Sequence, residues 1–257
     1  MDKTISFALI GNDPRLYWCA ERLRARGIRA AQYPNGDVPE TCCFIFAPPF
    51  TAAKLTNTNF AKKGATVFAG AADDEAKKLV TSRGAVLIDY CECEFFASEN
   101  AQLTAEAAIT VYIGAAATSL KGARSLVCGF GRIGKALAFL LKAHGSDVTV
   151  SARRITDIEL IRAYGCAPIE TTGIRGDYDV IFNTVPAHIF TRDALDRTST
   201  DCYIELASAP YGMEDPRAWG AGAKIIKASG LPGKVLPVSA GKLIADTVCT
   251  LLKEARI

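Results

Sequence analysis

One pattern constrains the fold of this chain more than any other: an apolar strand, a glycine turn, an amphipathic helix and a second apolar strand. It occurs twice, once from residues 5–10 through Gly11 and again from residue 126 through Gly129. After each glycine, apolar residues recur every three to four positions, which is the period of a helix with one buried face. A helix between two strands returns the chain to the same edge, so the strands pair in parallel. The repeat therefore predicts two α/β lobes.

The glycine turn of the second copy reads GFGRIG, with Gly129, Gly131 and Gly134 in the spacing G-x-G-x-x-G. In a nucleotide-binding turn the first glycine permits the tight bend, the second lets the backbone approach a pyrophosphate, and the third lets helix and strand pack closely. Arg132 and Ile133 would open the helix whose N-terminus faces the phosphates. An ordinary βα turn is the alternative. The flanking strand and helix favour dinucleotide binding.

Strand-like and helical segments continue to alternate after both copies, which is typical of parallel sheets covered on both faces. A run of small residues predicts a hinge helix, and the end of the chain predicts an amphipathic helix. We therefore expect an α/β fold with two parallel-sheet lobes, the second a Rossmann dinucleotide-binding domain. The predicted parts are an N-terminal substrate or partner domain at 1–100, the Rossmann domain at 101–238 with the hinge helix at 103–120, and a C-terminal helix at 239–257 packed across the lobes.

Charge and composition narrow the kind of ligand. The 257 residues carry a formal net charge of +3 with dispersed Lys and Arg, which gives no electrostatic argument for a nucleic-acid partner. The nine cysteines include no C-x-x-C pair and there are only two histidines, so Cys91 and Cys93 lack the further ligands of a metal site. No apolar run reaches the length of a signal-peptide core or a membrane span. We expect a soluble cytoplasmic protein with reduced thiols, no membrane or metal partner, and a small anionic ligand.

The residues after the second strand of the Rossmann domain indicate which coenzyme it takes. In NAD-binding chains an acidic residue about 20 positions after the first glycine bonds the ribose 2′-hydroxyl, and an Arg there accommodates a 2′-phosphate. Here that position holds Ser151, followed by Arg153 and Arg154, with no acidic residue before Asp157. The prediction is NADP(H), with Ser151 and both arginines as phosphate ligands. The alternative is that two exposed arginines only solvate a turn.

Two later strands end in polar residues at the edge where the nicotinamide half of a coenzyme would reach. The segment FNTVP supplies Asn183 and Thr184, with Val185 and Pro186 completing the turn, and these are predicted coenzyme contacts. Ser208 in ELASAP and His188 just past the proline are candidates for catalysis, His188 for proton transfer. Ordinary turn chemistry explains Asn183 and Ser208 equally well.

The first lobe lacks a phosphate cradle, because its turn has one glycine and an acidic residue in the sequence GNDPR. We expect it to supply substrate contacts instead, with Arg15 at the carboxyl edge of its sheet. Lys234, in a glycine- and proline-rich stretch before the terminal helix, is available for an anionic group. On the hinge helix, Glu106 is a further catalytic candidate.

Seven motifs occur together in one order: GNDPR, TAEAAI, VCGFGRIGKALAFLLKAHGSDVTVSARR, VIFNTVP, IELAS, ASGLPGKV and PVSAGK. In this combination the chain resembles the A subunits of dipicolinate synthases. The resemblance implies oxidation of a cyclic hydroxytetrahydrodipicolinate to dipicolinate with NADP+, in the mother cell of a sporulating bacterium and with a flavoprotein-like B subunit. It also implies substrate contacts at Arg15, Thr104, Glu106 and Ser208, and a small dicarboxylate as substrate.

The sequence also departs from that family. The approach to the hinge helix differs, Glu205 stands where an Asp is expected, and His188 falls at a usually apolar position. Two alternatives therefore remain open: an NADP-dependent reductase like the 2-hydroxy acid dehydrogenases, and a non-catalytic NADP(H)-binding regulatory subunit. Association into a homo-oligomer is also left open.

Overall fold

The structure is a computed structural model that describes residues 6–35, 38, 43–55, 63–215, 219 and 222–255. The chain divides into two compact units. The first comprises Met1–Asn100 and Pro232–Ile257, and the second comprises Ala101–Leu231.

The described residues form eleven strands and eight α-helices. The strands are β1 (Ser6–Ile10), β2 (Arg29–Tyr33), β3 (Cys43–Ile45), β4 (Thr66–Ala69), β5 (Val86–Asp89), β6 (Arg124–Cys128), β7 (Asp147–Ala152), β8 (Ala167–Glu170), β9 (Gly176–Asn183), β10 (Thr198–Glu205) and β11 (Lys224–Lys227). The helices are α1 (Pro14–Arg24), α2 (Asp74–Ser82), α3 (Glu94–Ala116), α4 (Arg132–Ala143), α5 (Ile155–Ala163), α6 (Arg192–Asp196), α7 (Leu231–Val235) and α8 (Pro237–Ala255).

The first unit is built on a five-stranded sheet in the order β2-β1-β3-β4-β5, and every strand pair in it is parallel. Asp13 caps α1 by accepting a hydrogen bond from the Arg15 amide at 2.9 Å, and Pro14 occupies the first helical turn. Helix α8 packs on α1 in this unit. A Cβ added to Gly241 of α8 would collide with the Arg15 carbonyl oxygen and the Trp18 side chain, so a glycine at 241 sets the close approach of the two helices.

The second unit contains a six-stranded, all-parallel sheet in the order β11-β10-β9-β6-β7-β8. The chain starts in the middle at β6, adds β7 and β8 on one side, and then adds β9, β10 and β11 on the other. This is the strand order of a doubly wound dinucleotide-binding fold, with its switch point between β6 and β9. Leu126, Val127 and Cys128 of β6 are fully buried, as expected for a central strand covered on both faces. The predicted fold class, two parallel-sheet α/β lobes of which the second is Rossmann-like, is confirmed.

Several elements differ from the sequence-based expectation, among them the short helices α6 and α7, which were not predicted. The helix expected at 103–120 begins earlier, at Glu94, and ends at Ala116, because Ala117 adopts a left-handed φ of 52° that terminates the helix. The chain passes from the first unit to the second within this helix, α3. Strand β8 was not predicted either. Two of its four residues are exposed and two are half-buried, and it includes Pro168, which edge strands tolerate.

Within the described part of the chain, none of the helices is both long and apolar enough to cross a membrane. The eight cysteines that the structure describes are all free thiols.

Candidate functional site

The glycine turn between β6 and α4 is tightly packed against the turn that follows β9. Gly129 has φ = +92°, and a Cβ there would lie 2.8 Å from both Thr184 Oγ1 and Val185 Cγ2. A Cβ on Gly134 would collide with the Gly129 carbonyl oxygen. The packing of the protein itself therefore requires glycine at these two positions.

Gly131 is different, because the described chain does not require it to be glycine. Its φ of −77° suits any residue, and a Cβ there would meet nothing within 4 Å. Gly131 is the N-cap of α4 and has no side chain with which to cap the amides of the first turn, which includes Arg132, Ile133 and Gly134. An open space in front of an uncapped helix N-terminus fits the pyrophosphate of a dinucleotide.

The turn after β9 lies at the switch point of the sheet. The Thr184 hydroxyl donates to the Cys128 carbonyl at 2.7 Å, and the Thr184 amide donates to the same oxygen at 3.1 Å. These bonds join the carboxyl ends of β9 and β6. Thr184 and Val185 are half-buried and Pro186 is exposed. The structure thus brings the predicted glycine loop and the 184–186 turn together.

The three residues predicted to bind a 2′-phosphate are placed differently from one another. Ser151 is fully buried in β7, beside Cys128 of β6. Arg154 is exposed and donates to Asp157 through Nε and Nη2 at 2.8 and 2.9 Å. Arg153 is also exposed, and it forms no hydrogen bond or ion pair with another described residue. The uncompensated positive charge at the end of β7 therefore belongs to Arg153.

The Asn183 side chain does not face solvent; it stabilises the 184–186 turn that follows it. Its side chain is fully buried, and Nδ2 donates to the Val185 carbonyl at 3.0 Å and to Glu205 Oε1 at 2.7 Å. Asn183 Oδ1 accepts from the Val185 amide at 3.1 Å. In this conformation all three bonds are made within the protein, so Asn183 shapes the 184–186 turn from behind.

Glu205 is a buried polar residue to which the sequence reasoning gave no role. The residue is 4% exposed, and its carboxylate accepts from the Tyr203 hydroxyl at 2.6 Å, the Ala207 amide at 3.1 Å and the Gly212 amide at 2.8 Å, besides Asn183. Burial, followed by the bond to Glu205, raises the pKa of Tyr203 far above its usual range. The available sequence signal was an acidic residue at the end of an otherwise apolar strand segment, YIELA.

The catalytic candidates fall in two places of the second unit. His188 is exposed and its Nε2 lies 2.9 Å from the Pro210 carbonyl oxygen, within the loop that also carries the exposed Ser208. Because a carbonyl oxygen only accepts, Nε2 is the donor in this bond. Glu106 and Thr104 lie on α3, where Glu106 is exposed and Thr104 is buried.

In the first unit, Arg15 is already bound by protein groups. Its guanidinium pairs with Asp13 through Nε at 2.9 Å and Nη2 at 2.7 Å, and Nη2 also donates to the Pro48 carbonyl at 2.6 Å. A Cβ on Gly233 would lie 2.8 Å from Arg15 Cζ, so Gly233 leaves room for the guanidinium. Burial alone would raise the pKa of Asp13, but the hydrogen bonds and charge of Arg15 lower it on balance. Lys234 follows Gly233 and is exposed.

A cavity of about 640 Å³ opens in the first unit beside Asp13, and its lining includes Asn12, Asn35 and Lys54. Lys54 Nζ donates to the Ala47 and Pro49 carbonyls at 3.1 and 2.6 Å. Burial lowers the pKa of Lys54, and the nearby Asp13 opposes that shift. No sequence signal pointed to Lys54, which lies in a short stretch without a recognisable motif.

Comparisons with known proteins agree with the geometry of the second unit. Residues 97–201 match the family described as D-isomer specific 2-hydroxyacid dehydrogenase, NAD binding domain. The A subunit of dipicolinate synthase from Bacillus subtilis (strain 168) is 29% identical over 192 residues, which cover 73% of this chain and 65% of that protein. The matched region thus spans less than two thirds of that relative's length.

Two solved structures share the fold along nearly the whole chain. The A subunit of dipicolinate synthase from Bacillus halodurans has a TM-score of 0.83 at 23% identity, covering 98% of this chain and 99% of that one. The corresponding chain of dipicolinate synthase from Bacillus subtilis has a TM-score of 0.83 at 23% identity, covering 100% and 98%. The predicted similarity to the A subunits of dipicolinate synthases is confirmed. Together the matches support an oxidoreductase that uses a nicotinamide dinucleotide.

Proposed function

We propose that this chain is an NADP(H)-dependent oxidoreductase that forms dipicolinate from a cyclic hydroxytetrahydrodipicolinate. The observation that carries the proposal is Gly131, whose missing side chain keeps open a space that the described chain itself does not use. The similarity to the dipicolinate synthase of Bacillus subtilis supplies the substrate class. A flavoprotein-like B subunit is the partner in the same proposal, since the matched relative is itself an A subunit.

The choice of NADP(H) over NAD(H) rests on charge at the end of β7. A 2′-phosphate is a dianion that a guanidinium binds with strong, charge-assisted hydrogen bonds. Arg153 offers an uncompensated guanidinium there, whereas the charge of Arg154 is balanced by Asp157. A carboxylate that would select the free 2′-hydroxyl of NAD is absent at Ser151 and Ala152, where β7 ends.

In this proposal, different residues of the second unit bind different parts of the coenzyme. The loop at Gly129, Gly131 and Gly134 and the first turn of α4 hold the pyrophosphate. The turn at 184–186 borders the nicotinamide half, with Asn183 shaping that turn from inside. When bound, the coenzyme supplies a two-electron acceptor for a hydride.

The reaction requires the substrate to lose water, a hydride and a proton. Elimination of water gives a dihydropyridine dicarboxylate, and removal of the hydride and proton gives the aromatic pyridine, whose formation drives the oxidation. In the neutral imidazole of His188, Nε2–H would donate a hydrogen bond to the Pro210 carbonyl, and the lone pair of Nδ1 would be left to accept a proton. We assign that role to His188, with Ser208 and Glu106 as further polar groups for the reacting centre.

The substrate is a dianion and needs cationic partners. In this proposal they are Arg15 and Lys234, with Thr104 as a neutral contact. Arg15 is held in place by Asp13, so a substrate carboxylate would bind to an already oriented guanidinium whose positive charge Asp13 partly balances.

The test is a turnover assay with the cyclised aldolase product and NADP+, following NADPH and dipicolinate together, with and without the B subunit. Stoichiometric appearance of both products supports the proposal. His188→Gln should then lower kcat while NADP+ affinity is kept. Tight NADP(H) binding without turnover, even when the B subunit is present, would contradict the enzyme assignment and favour a regulatory role.

A second candidate is an NADP-dependent reductase acting on 2-oxo acids. The match of residues 97–201 to the 2-hydroxyacid dehydrogenase coenzyme domain favours it. It predicts oxidation of NADPH by a panel of small 2-oxo acids and no dipicolinate from the cyclised aldolase product. The two assays therefore separate the candidates.

A further inference from the structure

The side chain of Glu205 is a buried carboxylate whose hydrogen bonds connect two loops. Oε1 accepts from Asn183 Nδ2 at 2.7 Å and from the Ala207 amide at 3.1 Å. Oε2 accepts from the Tyr203 hydroxyl at 2.6 Å and from the Gly212 amide at 2.8 Å. No Lys, Arg or His side chain forms an ion pair or hydrogen bond with it in the described part of the chain. Its negative charge is met by neutral donors alone.

Burying a charge without a counter-ion is costly, but an apolar side chain in its place would leave four buried donors without an acceptor, which is also costly. A carboxylate has one property that neither an apolar residue nor a glutamine has: both oxygens accept hydrogen bonds only. Here four donors converge on it, and two of them are backbone amides of the loop that follows β10. A glutamine would turn an NH2 group toward two of these donors. The arrangement thus requires an acidic residue.

The bonds of Glu205 reach both loops at the carboxyl ends of β9 and β10. Through Asn183 the carboxylate reaches the 184–186 turn. Through Gly212 it fixes a residue whose carbonyl accepts from the Ile189 and Phe190 amides at 2.9 and 3.0 Å. Position 212 must be glycine, because a Cβ there would collide with the side chains of Asn183 and Tyr203. The Pro210 carbonyl that binds His188 lies in the same loop.

These two loops lie on the β9 side of the switch point, opposite the end of β7 where Arg153 lies. In sheets of this order a dinucleotide binds across the switch point, with its two halves on opposite sides. We infer that Glu205 is a positioning residue that holds the 184–186 and 206–213 loops in the conformation that binds the nicotinamide half of the coenzyme. The inference rests on the proposed function, because it needs a bound dinucleotide.

Two ligands distinguish this positioning role of Glu205 from a purely structural one. Adenosine 2′,5′-bisphosphate carries the adenosine and the 2′-phosphate but no nicotinamide, so it reports on the β7 side alone. Glu205→Gln should weaken NADPH binding by about tenfold, the equivalent of one misplaced buried hydrogen-bonding group. The same variant should bind adenosine 2′,5′-bisphosphate as the unmodified chain does. Titration calorimetry with both ligands measures the two affinities.

A matched control is available on the same strand. Thr198 is buried at the other end of β10, and its Oγ1 has no partner in the described part of the chain. Thr198→Val therefore changes a buried polar group of β10 without touching either loop. Both ligands should bind to this variant as to the unmodified chain. Glu205→Asp, which keeps the acceptor-only carboxylate, should bind NADPH more tightly than Glu205→Gln does.

Three results would overturn the inference. They are an unchanged NADPH affinity in Glu205→Gln, an equal loss of affinity for both ligands in that variant, and an NADPH affinity in Glu205→Asp no higher than in Glu205→Gln. Thermal unfolding checks that each variant is folded, and if Glu205→Gln does not fold, the comparison of Glu205→Asp with the unmodified chain on both ligands decides. Failure of the unmodified chain to bind either ligand would instead overturn the proposed function, and the inference with it.

Discussion

Arg154 and Asp157 are joined by two hydrogen bonds, of 2.8 and 2.9 Å, while the neighbouring Arg153 has no hydrogen bond or ion pair with another described residue. The positive charge of Arg154 is therefore balanced by a carboxylate of the protein, whereas the positive charge of Arg153 is available to a ligand. This difference separates their expected contributions to coenzyme choice.

Arg153→Ala should remove most of the preference for NADP+ over NAD+, because the charged hydrogen bond to the 2′-phosphate is worth about 1.5 to 3 kcal/mol. Arg154→Ala should change the preference much less, since its guanidinium is engaged by Asp157. Titration of both variants with NADP+ and NAD+ measures the two ratios. Equal losses in the two variants would show that the Arg154 pair with Asp157 opens when coenzyme binds.

Replacement by alanine should have different effects at Gly131 and Gly134: the first should reduce coenzyme affinity, and the second should reduce stability. Gly131→Ala adds a methyl group to open space, so it should lower coenzyme affinity by about tenfold or more while costing no more than about 1 kcal/mol of the free energy of unfolding. Gly134→Ala drives a methyl group into the Gly129 carbonyl, so it should cost about 3 kcal/mol of that free energy. Urea unfolding and NADPH titration measure both effects. A Gly131→Ala variant that binds NADPH normally would mean that the coenzyme does not approach there.

Two threonines of β10 form a matched pair for stability. The Thr198 hydroxyl is buried without a partner in the described residues, so Thr198→Val should raise the free energy of unfolding by about 1 kcal/mol. The Thr200 hydroxyl donates to the Cys202 carbonyl at 2.9 Å and accepts from its amide at 3.3 Å, so Thr200→Val should lower the free energy by a similar amount. Opposite signs in urea unfolding are the expected result. A loss in Thr198→Val would show that its hydroxyl does have a partner in solution.

The pair of Asp13 with Arg15 should make stability depend on pH. The pKa of Asp13 is lowered in the folded protein, because the bonds from Arg15 outweigh the effect of burial. Stability from the ionised carboxylate is therefore fully present above the unfolded pKa of about 4 and is lost as the pH falls through the lower folded value. Asp13→Asn should lower Tm at neutral pH, and the difference from the unmodified chain should shrink in acid. A difference that stays constant with pH would mean that the charge of Asp13 contributes nothing.

Local patterns predicted the features that depend on neighbouring residues. The glycine loop at 129–134, its strand and its helix follow from spacing alone, and so does the parallel arrangement of the sheets. Arg154 and Asp157 have the i, i+3 spacing of a helical ion pair, but both arginines were predicted as phosphate ligands, and neither this pair nor the lack of a partner for Arg153 was predicted. Local signals therefore located the coenzyme loop and gave no ranking of the two arginines.

Features that need several distant residues could not be predicted in this way. The Glu205 network joins residues 183, 203, 207 and 212, from two strand ends and a loop, and only the folded sheet brings them together. The buried position of Asn183 was missed for the same reason: an Asn before a proline turn is equally typical of a ligand and of a brace. Ser151 is buried because β7 is paired on both sides, with β6 and β8, and the local residue pattern does not show that arrangement.

The central claim is that the second unit binds NADP(H) in preference to NAD(H). The most direct measurement is a calorimetric titration of the unmodified chain with NADP+, NADPH, NAD+ and NADH at one ionic strength. The account predicts that both phosphorylated coenzymes bind at least about tenfold more tightly than their counterparts, a difference of about 1.4 kcal/mol. Equal affinities, tighter binding of NAD(H), or no binding of any of the four would contradict it.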